Sequence, residues 1–162
     1  MSLPKKKLNK RALPVIGWRE YVALPDIGAT SIKAKVDSGA RTSSLHAFDL
    51  EHFTRAGVEM VRFEVHPEQR SEAAAVTVEA ELIDQRLVRS SGGHAVLRPV
   101  ILTTIELLGA RWEVELTLTR RDEMGFRMLL GRQAIRGRFL VDTGRSFLNG
   151  RRVKGTRRLN QP

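Results

Sequence analysis

Cysteine is absent from this chain of 162 residues. Disulfides and thiolate nucleophiles are therefore excluded, and any zinc site would have to use histidine and carboxylate ligands. The chain also lacks an apolar run long enough to cross a bilayer, and its basic N-terminus lacks the apolar segment of a secretory signal. We therefore expect a cytoplasmic protein without membrane contact.

Aromatic residues are scarce, at 6% of the chain, and acidic residues are missing from both ends. Residues 1–11 carry five basic side chains and residues 145–162 carry six, whereas the segment between them has a net charge of −1. We expect flexible basic tails at 1–13 and 150–162 around one domain at 14–149. Such tails suit weak contact with RNA or ribosomes, or they serve only solubility.

Short runs of alternating polar and apolar residues fill the segment between the tails. Residues 96–107 and 112–118, joined by Leu-Gly-Ala, give the clearest hairpin pattern. Residues 84–89 read as a continuation of the strand before them, and 48–57 as a connection of uncertain type. Only 132–136 has a helical pattern. The sequence therefore predicts an all-β domain, a small barrel or sandwich, with one short helix near its C-terminus.

Asp37, Ser38 and Gly39 form the most distinctive turn, directly after a strand-like run that ends at Val36. Flanking strands can aim such an aspartate into a cleft, where the Ser38 hydroxyl and nearby backbone N–H groups would hold its carboxylate. All three residue types also favour ordinary β-turns, so the triplet taken alone favours a turn without chemistry.

Three features together resemble the retropepsin-like aspartic peptidases. In that family a catalytic aspartate precedes Ser/Thr-Gly-Ala, a hairpin flap follows, and two apolar residues before Gly-Arg lead into a helix. The corresponding segments are 37–40, the glycine-rich loop at 89–94, and 128–133. The resemblance implies a small closed β-barrel with one short C-terminal helix.

A narrower resemblance depends on the string 36–47, together with Arg98-Pro99-Val100 and Leu129-Leu130-Gly131-Arg132. These segments are similar to the RimB-type family, whose members are called ATP-dependent zinc proteases and are associated with RimK-type glutamate ligases. The match covers about residues 14–149. It implies a peptidase with a RimK-type ligase as a partner.

The resemblance implies amide hydrolysis by a water molecule held between two carboxylates. Two close carboxylates share a proton, so one acts as a base on the water while the other polarises the carbonyl. The chain has one copy of the motif, so a second Asp37 is expected from another chain across the two-fold axis of a homodimer. The residues expected to support this site are Ser38, Gly39, Ala40 and Gly131.

A second triplet, Asp142-Thr143-Gly144, invites the alternative of a two-lobed enzyme within one chain. Only 20 residues follow Asp142, whereas a further lobe needs about 50. We therefore interpret Asp142 as a turn residue.

The loop that contains Ser90, Ser91, Gly92, Gly93 and His94 corresponds to the flap, which would exclude water from the site. A glycine-rich loop of this kind is also compatible with plain flexibility.

The family association implies acidic or glutamate-tailed peptide substrates. Arg41, Arg98 and Arg132 are the candidate substrate-binding residues, because arginine binds carboxylates through two parallel hydrogen bonds. For Arg132 the alternative is a bracing role at the dimer or at the active-site loop.

The only indication of a zinc ion is the family's name. Asp37, His46 and His94 would be the ligand set, with His46 as the candidate metal residue, since a catalytic zinc takes three protein ligands and a water. ATP has no support, because the chain lacks a phosphate-binding loop. We expect no cofactor apart from this zinc alternative.

Three further hypotheses stay open. The chain could be a catalytically silent module that holds glutamate tails or regulates a RimK-type ligase. It could be a metal-dependent peptidase. It could also be a small β-barrel that binds RNA or ribosomes through its basic tails.

Overall fold

The computed structural model describes residues 12–67, 75–89, 92–120 and 125–150. Within these ranges the chain is mostly strand, with one short α-helix, so the predicted all-β fold is confirmed. The elements are β1 (Val15–Gly17), β2 (Arg19–Leu24), a 3-10 turn (Pro25–Ile27), β3 (Ala29–Asp37), β4 (Ser43–His46), β5 (Phe48–Arg55), β6 (Val58–Val65), β7 (Val76–Glu81), β8 (Asp84–Arg89), β9 (Ala95–Leu107), β10 (Ala110–Thr119), β11 (Met128–Gly131), α1 (Arg132–Ile135) and β12 (Leu140–Asp142).

Six strands close into a barrel in the order β10-β4-β11-β3-β2-β9, with β9 pairing back to β10. The predicted hairpin of β9 and β10 is confirmed, since residues 100–107 pair with 110–117 around the turn at Leu108 and Gly109. Closure leaves the barrel strands without an unpaired edge, so their backbone groups bond to one another.

The inward-facing side chains of these strands form one apolar core. On β3, Ile32 and Ala34 are fully buried while Lys33 and Lys35 are only half-buried, as the alternation predicts. Each large aliphatic side chain buried in this way contributes about 1.5–3 kcal/mol. The core therefore fixes which residues of each strand can face solvent.

In the middle of the chain the structure assigns one uncertain segment and overturns one prediction. Within 48–57, the connection of uncertain type, Phe48–Arg55 forms β5, which pairs with β6 in a separate three-stranded sheet with β7. Most side chains of β5 are exposed, so its sequence lacks the regular alternation of polar and apolar residues by which a half-buried strand is recognised. The expected continuation into residues 84–89 is wrong, because β8 belongs to the other sheet and pairs with β9.

Both basic tails fall largely on residues 1–11 and 151–162, which lie outside the described residues. Across the ranges that are described, no helix has the length and apolarity needed to span a bilayer.

A buried carboxylate fastens the C-terminal segment to the start of the barrel. Glu20 is fully buried and accepts hydrogen bonds from the backbone N–H groups of Gly17 (2.7 Å), Leu148 (3.0 Å) and Asn149 (2.9 Å). Three N–H donors stabilise the charge that burial would otherwise penalise. Glu20 therefore holds together β2, the turn before it and the segment after β12.

We expect Glu20→Gln to lower the free energy of unfolding by about 3 kcal/mol, because the new amide NH₂ group would face N–H donors that need an acceptor. Urea unfolding followed by circular dichroism measures the change. Glu113→Gln, on the exposed side of β10, is the matched control and should stay within about 0.5 kcal/mol of wild type. Equal unfolding midpoints for both variants would contradict this role of Glu20.

Candidate active site

Asp37 is the last residue of β3, and its carboxylate is held by the turn that follows. Its Oδ1 accepts hydrogen bonds from the backbone N–H groups of Gly39 (2.9 Å) and Ala40 (3.2 Å). A Cβ at Gly39 would lie 3.1 Å from that same oxygen, which is a tight contact. Backbone amides therefore orient the carboxylate. Ser38 is exposed, and its described hydrogen bond uses the backbone carbonyl and not the hydroxyl.

Strand β11 holds the Asp37 turn from the other side. It lies between β3 and β4, and Gly131 pairs in register with Asp37. The N–H of Gly131 donates to the Oγ of buried Ser43 over 3.0 Å. A Cβ on Gly131 would approach the carbonyl group of Thr42 to 2.5 Å, so only glycine fits without a shift of backbone.

The start of α1 completes the support of this turn. The backbone N–H of Arg132 donates to the carbonyl of Ala40 (2.7 Å), and that of Gln133 donates to the carbonyl of Arg41 (3.1 Å). The Arg132 guanidinium donates to the carbonyl of Ser38 (3.1 Å). The turn is thus held by a segment more than ninety residues away, which leaves its carboxylate in a fixed orientation at the surface.

The three candidate substrate-binding arginines do not lie together. Arg132 braces the turn, as the alternative interpretation of this residue predicts. Arg41 is exposed beside the same turn. Arg98, on β9, lines a separate cavity with neither of the other two. Only Arg41 and Arg132 are therefore neighbours of Asp37 in the fold.

The glycine-rich loop connects β8 and β9, whose last and first residues, Arg89 and Ala95, pair across the hairpin. Gly92, Gly93 and His94 are exposed at this tip, and Ser90 and Ser91 lie outside the described residues. The loop therefore has the hairpin form of a flap, and its role in excluding water stays a prediction.

His46 lies in a setting that does not suit a metal ligand. Its ring is buried, stacks on Phe48 at 4.2 Å, and its Nδ1 is 3.0 Å from a guanidinium nitrogen of Arg127. Arginine can only donate, so Nδ1 accepts and the ring proton lies on Nε2, which leaves no nitrogen lone pair for a metal. The set of Asp37, His46 and His94 is not assembled, and no cluster of three or more such ligands occurs among the residues described. These residues do not fit zinc.

Asp142 repeats the local geometry of Asp37 in a different place. The N–H of Gly144 donates to Asp142 Oδ1 over 2.9 Å, so the predicted turn is confirmed. However, Asp142 pairs in register with Gly17 on β1, in the small two-stranded sheet. It therefore lacks the support that β11 and α1 give to Asp37.

Sequence reasoning does not identify two residues on which the fold around the site depends, Ser43 and Glu20. Ser43 is the first residue of the buried strand β4 and carries no signal of its partner 88 residues away. Glu20 does carry a signal, because it shares the buried face of β2 with Val22 and Leu24. An acid on an apolar face indicates a buried, hydrogen-bonded carboxylate.

In this six-stranded barrel an Asp-Ser-Gly turn packs against an apolar-Gly-Arg segment. This is the architecture of the retropepsin-like class. The family model described as "RimB-like: Retropepsin-like aspartic endopeptidase RimB" matches residues 15–152, and the chain belongs to this family.

Curated relatives include proteins named "Probable alpha-L-glutamate ligase". The one from Shewanella pealeana is 49% identical over 136 residues, and the one from Desulfotalea psychrophila is 45% identical over 131 residues. The matches cover 84% and 81% of this chain but only 30% and 28% of those proteins. The chain thus spans less than a third of the length of the curated relatives it matches.

A solved structure of a Legionella pneumophila protein of unknown function has the same fold. It superposes with a TM-score of 0.69 at 27% sequence identity, and the match covers 85% of this chain and 99% of the Legionella chain. The barrel described here therefore recurs as a complete chain in another protein.

We expect Gly131→Ala to destabilise the protein by about 2–3 kcal/mol, because the added methyl group overlaps the backbone at Thr42. Thermal or urea unfolding measures the loss. Gly144→Ala is the matched control, since a Cβ there would lie an acceptable 3.4 Å from Asp142. If Gly131→Ala unfolded at the same midpoint as Gly144→Ala, the close approach of β11 to β4 would not be a constraint on the fold.

Proposed function

We propose that this chain is an aspartic peptidase in which Asp37 of two identical subunits forms the catalytic pair. The observation that carries the proposal is the held carboxylate. Both described hydrogen bonds of the Asp37 carboxylate go to Oδ1. The second oxygen thus keeps its lone pairs for a water molecule or a partner carboxylate. An orientation fixed before substrate binds is what proton transfer requires.

The second carboxylate comes from another subunit in this proposal. The other Asp-Xaa-Gly turn, at Asp142, pairs with β1 and not with β11, so it is not an equivalent site in the same chain. Beside the Asp37 turn lies an open cavity of about 440 Å³, lined by Ser38, Arg132, Arg136 and Val141 together with the buried side chains of Ile135 and Phe139. An open cavity next to the turn leaves room for contact with a second subunit.

Hydrolysis then proceeds through a tetrahedral intermediate. The ionised carboxylate takes a proton from water while the water oxygen bonds to the carbonyl carbon, and the protonated carboxyl donates a hydrogen bond to the carbonyl oxygen. The carboxyl that took the water proton then gives it to the amine nitrogen as the C–N bond breaks. The product acid releases its remaining proton to solvent, and the two Asp37 carboxyls return to their starting protonation states.

Acidic peptides, in particular glutamate tails, are the proposed substrates. Arg41 is exposed beside the catalytic turn, where its guanidinium can bind a substrate carboxylate. The relatives named as probable glutamate ligases contain, within one polypeptide, a segment similar to this chain. A shared polypeptide places two activities at high effective concentration. We therefore propose a RimK-type ligase as the functional partner, with this chain removing or trimming what the ligase adds.

Asp37→Asn tests the chemistry. We expect cleavage of glutamate-tailed peptides, followed by mass spectrometry, to fall about a thousandfold, because the amide cannot accept the proton of the attacking water. Asp142→Asn is the matched control, since it changes the same residue type in the same kind of turn and should retain activity. Hydrolysis by Asp37→Asn at the wild-type rate would refute the proposal.

A chelator separates the carboxylate mechanism from a metal-dependent one. We expect wild-type cleavage to be unchanged after treatment with a chelator and dialysis, since the described residues gather no set of three ligands. Activity that disappears and returns on addition of zinc would favour the metal-dependent alternative.

Mixing subunits tests the shared site. When wild type is allowed to exchange with a tenfold excess of Asp37→Asn, random pairing places about nine-tenths of wild-type subunits in mixed dimers. We expect activity per wild-type chain to fall to about one-tenth, because a mixed dimer has one catalytic carboxylate. The same excess of Asp142→Asn, which keeps Asp37, is the control and should leave activity per Asp37-bearing chain unchanged. Undiminished activity would show that one subunit suffices.

A further inference from the structure

A well-defined cavity among the described residues lies away from the Asp37 turn. It has a volume of about 500 Å³, within the range of sites for small ligands. Its walls come from β5 of the three-stranded sheet, from the first residues of β9 behind the flap, and from the end of β10. The cavity therefore occupies the junction between the barrel and the second sheet.

The lining of this cavity includes two arginines, Arg98 and Arg120, and two histidines, His52 and His94. None of its described lining residues is acidic. This composition differs from that of the domain, since residues 12–144 carry a net charge of −1. A local concentration of basic side chains in a nearly neutral body indicates a site for an anion.

The rest of the lining is apolar apart from Thr119, which narrows the class of anion that would fit. Leu118 is buried at 2% exposure, whereas Leu97, on β9 just after the glycine-rich loop, is 54% exposed. Exposed aliphatic side chains facing a cavity favour a ligand with methylene groups. A glutamate side chain combines two methylenes with a carboxylate, while inorganic phosphate offers only charge. The lining therefore suits glutamate side chains better than phosphate.

The register of the barrel places the cavity within reach of a substrate bound at Asp37. Strands β4 and β10 run parallel, with Leu116 level with Ser43 and Thr119 level with His46. Ser43 bonds to Gly131, which pairs with Asp37. Thr119 lines the cavity, so the cavity is offset from the Asp37 turn by about three residues, or about 10 Å, along the strands. It is also offset by the three strand-to-strand steps from β10 to β3, or about 14 Å, around the barrel. An extended peptide of five or six residues spans the resulting separation of about 17 Å.

We propose that this cavity is a recognition site for glutamate side chains several residues away from the scissile bond, with Arg120 and His52 as residues that determine specificity. The inference builds on the proposed peptidase function and adds the place at which acidity is recognised. Arg120 would bind a carboxylate with its guanidinium, and the aliphatic walls would contact the methylenes. The site would act on binding and not on the chemical step.

Binding of pentaglutamate to the Asp37→Asn protein tests the site without hydrolysis. We expect Arg120→Gln and His52→Gln, each added to Asp37→Asn, to raise the dissociation constant about tenfold and about threefold, respectively, in calorimetry at low salt. Pentaaspartate carries the same charge on a shorter stem and should bind more weakly than pentaglutamate. Arg111→Gln is the matched control, because it removes one exposed arginine from the opposite end of β10, where Arg111 pairs with Glu106.

Several results would overturn the assignment. These are unchanged affinity in Arg120→Gln and His52→Gln, an equal loss in Arg111→Gln, equal binding of pentaglutamate and pentaaspartate, or displacement of pentaglutamate by inorganic phosphate or short RNA at equal concentration. Failure of the proposed function would look different. In that case wild type would cleave no peptide, or Asp37→Asn would cleave as wild type does, while the binding differences at Arg120 and His52 persisted.

Discussion

The close approach of β11 to the start of β4 is the constraint on which the site depends. At Gly131 there is no room for a Cβ against the backbone at Thr42, and the Gly131 N–H group is satisfied by Ser43. This contact lets β11 lie between β3 and β4, which the closure of the barrel requires. It also brings the N–H groups at the start of α1 to the carbonyls of the Asp37 turn. Barrel closure and the orientation of the Asp37 carboxylate are thus consequences of one packing contact.

The two Asp-Xaa-Gly turns show that a local motif does not define a site. Asp37 and Asp142 each accept a hydrogen bond from the glycine two residues later, at 2.9 Å in both cases. The difference lies in what surrounds them. Asp37 ends a barrel strand that pairs with Gly131, whereas Asp142 ends a short strand that pairs with Gly17. The packing of distant segments distinguishes the two turns.

Sequence patterns predict those parts of the fold that depend on local alternation. The β9–β10 hairpin and the inward face of β3 are recognisable because one face is apolar and the other polar. Strand β5 escapes detection because it pairs with β6 while burying little of its own surface. In the site, Asp37 and Gly131 are found through resemblance, while Ser43 is not, since its role arises from a contact between residues 88 positions apart. Local patterns hold no information on such contacts.

The placement of the arginines separates two kinds of contact in this fold. Arg132 uses its guanidinium on the carbonyl of Ser38, so its charge also serves the structure of the turn. Arg98 lies at the junction of the barrel with the three-stranded sheet. That sheet follows β4 and precedes β8 in the chain, and it leaves the closed barrel order unchanged. An added sheet can therefore provide further surface beside the barrel without altering the Asp37 turn, because the two depend on different strand pairings.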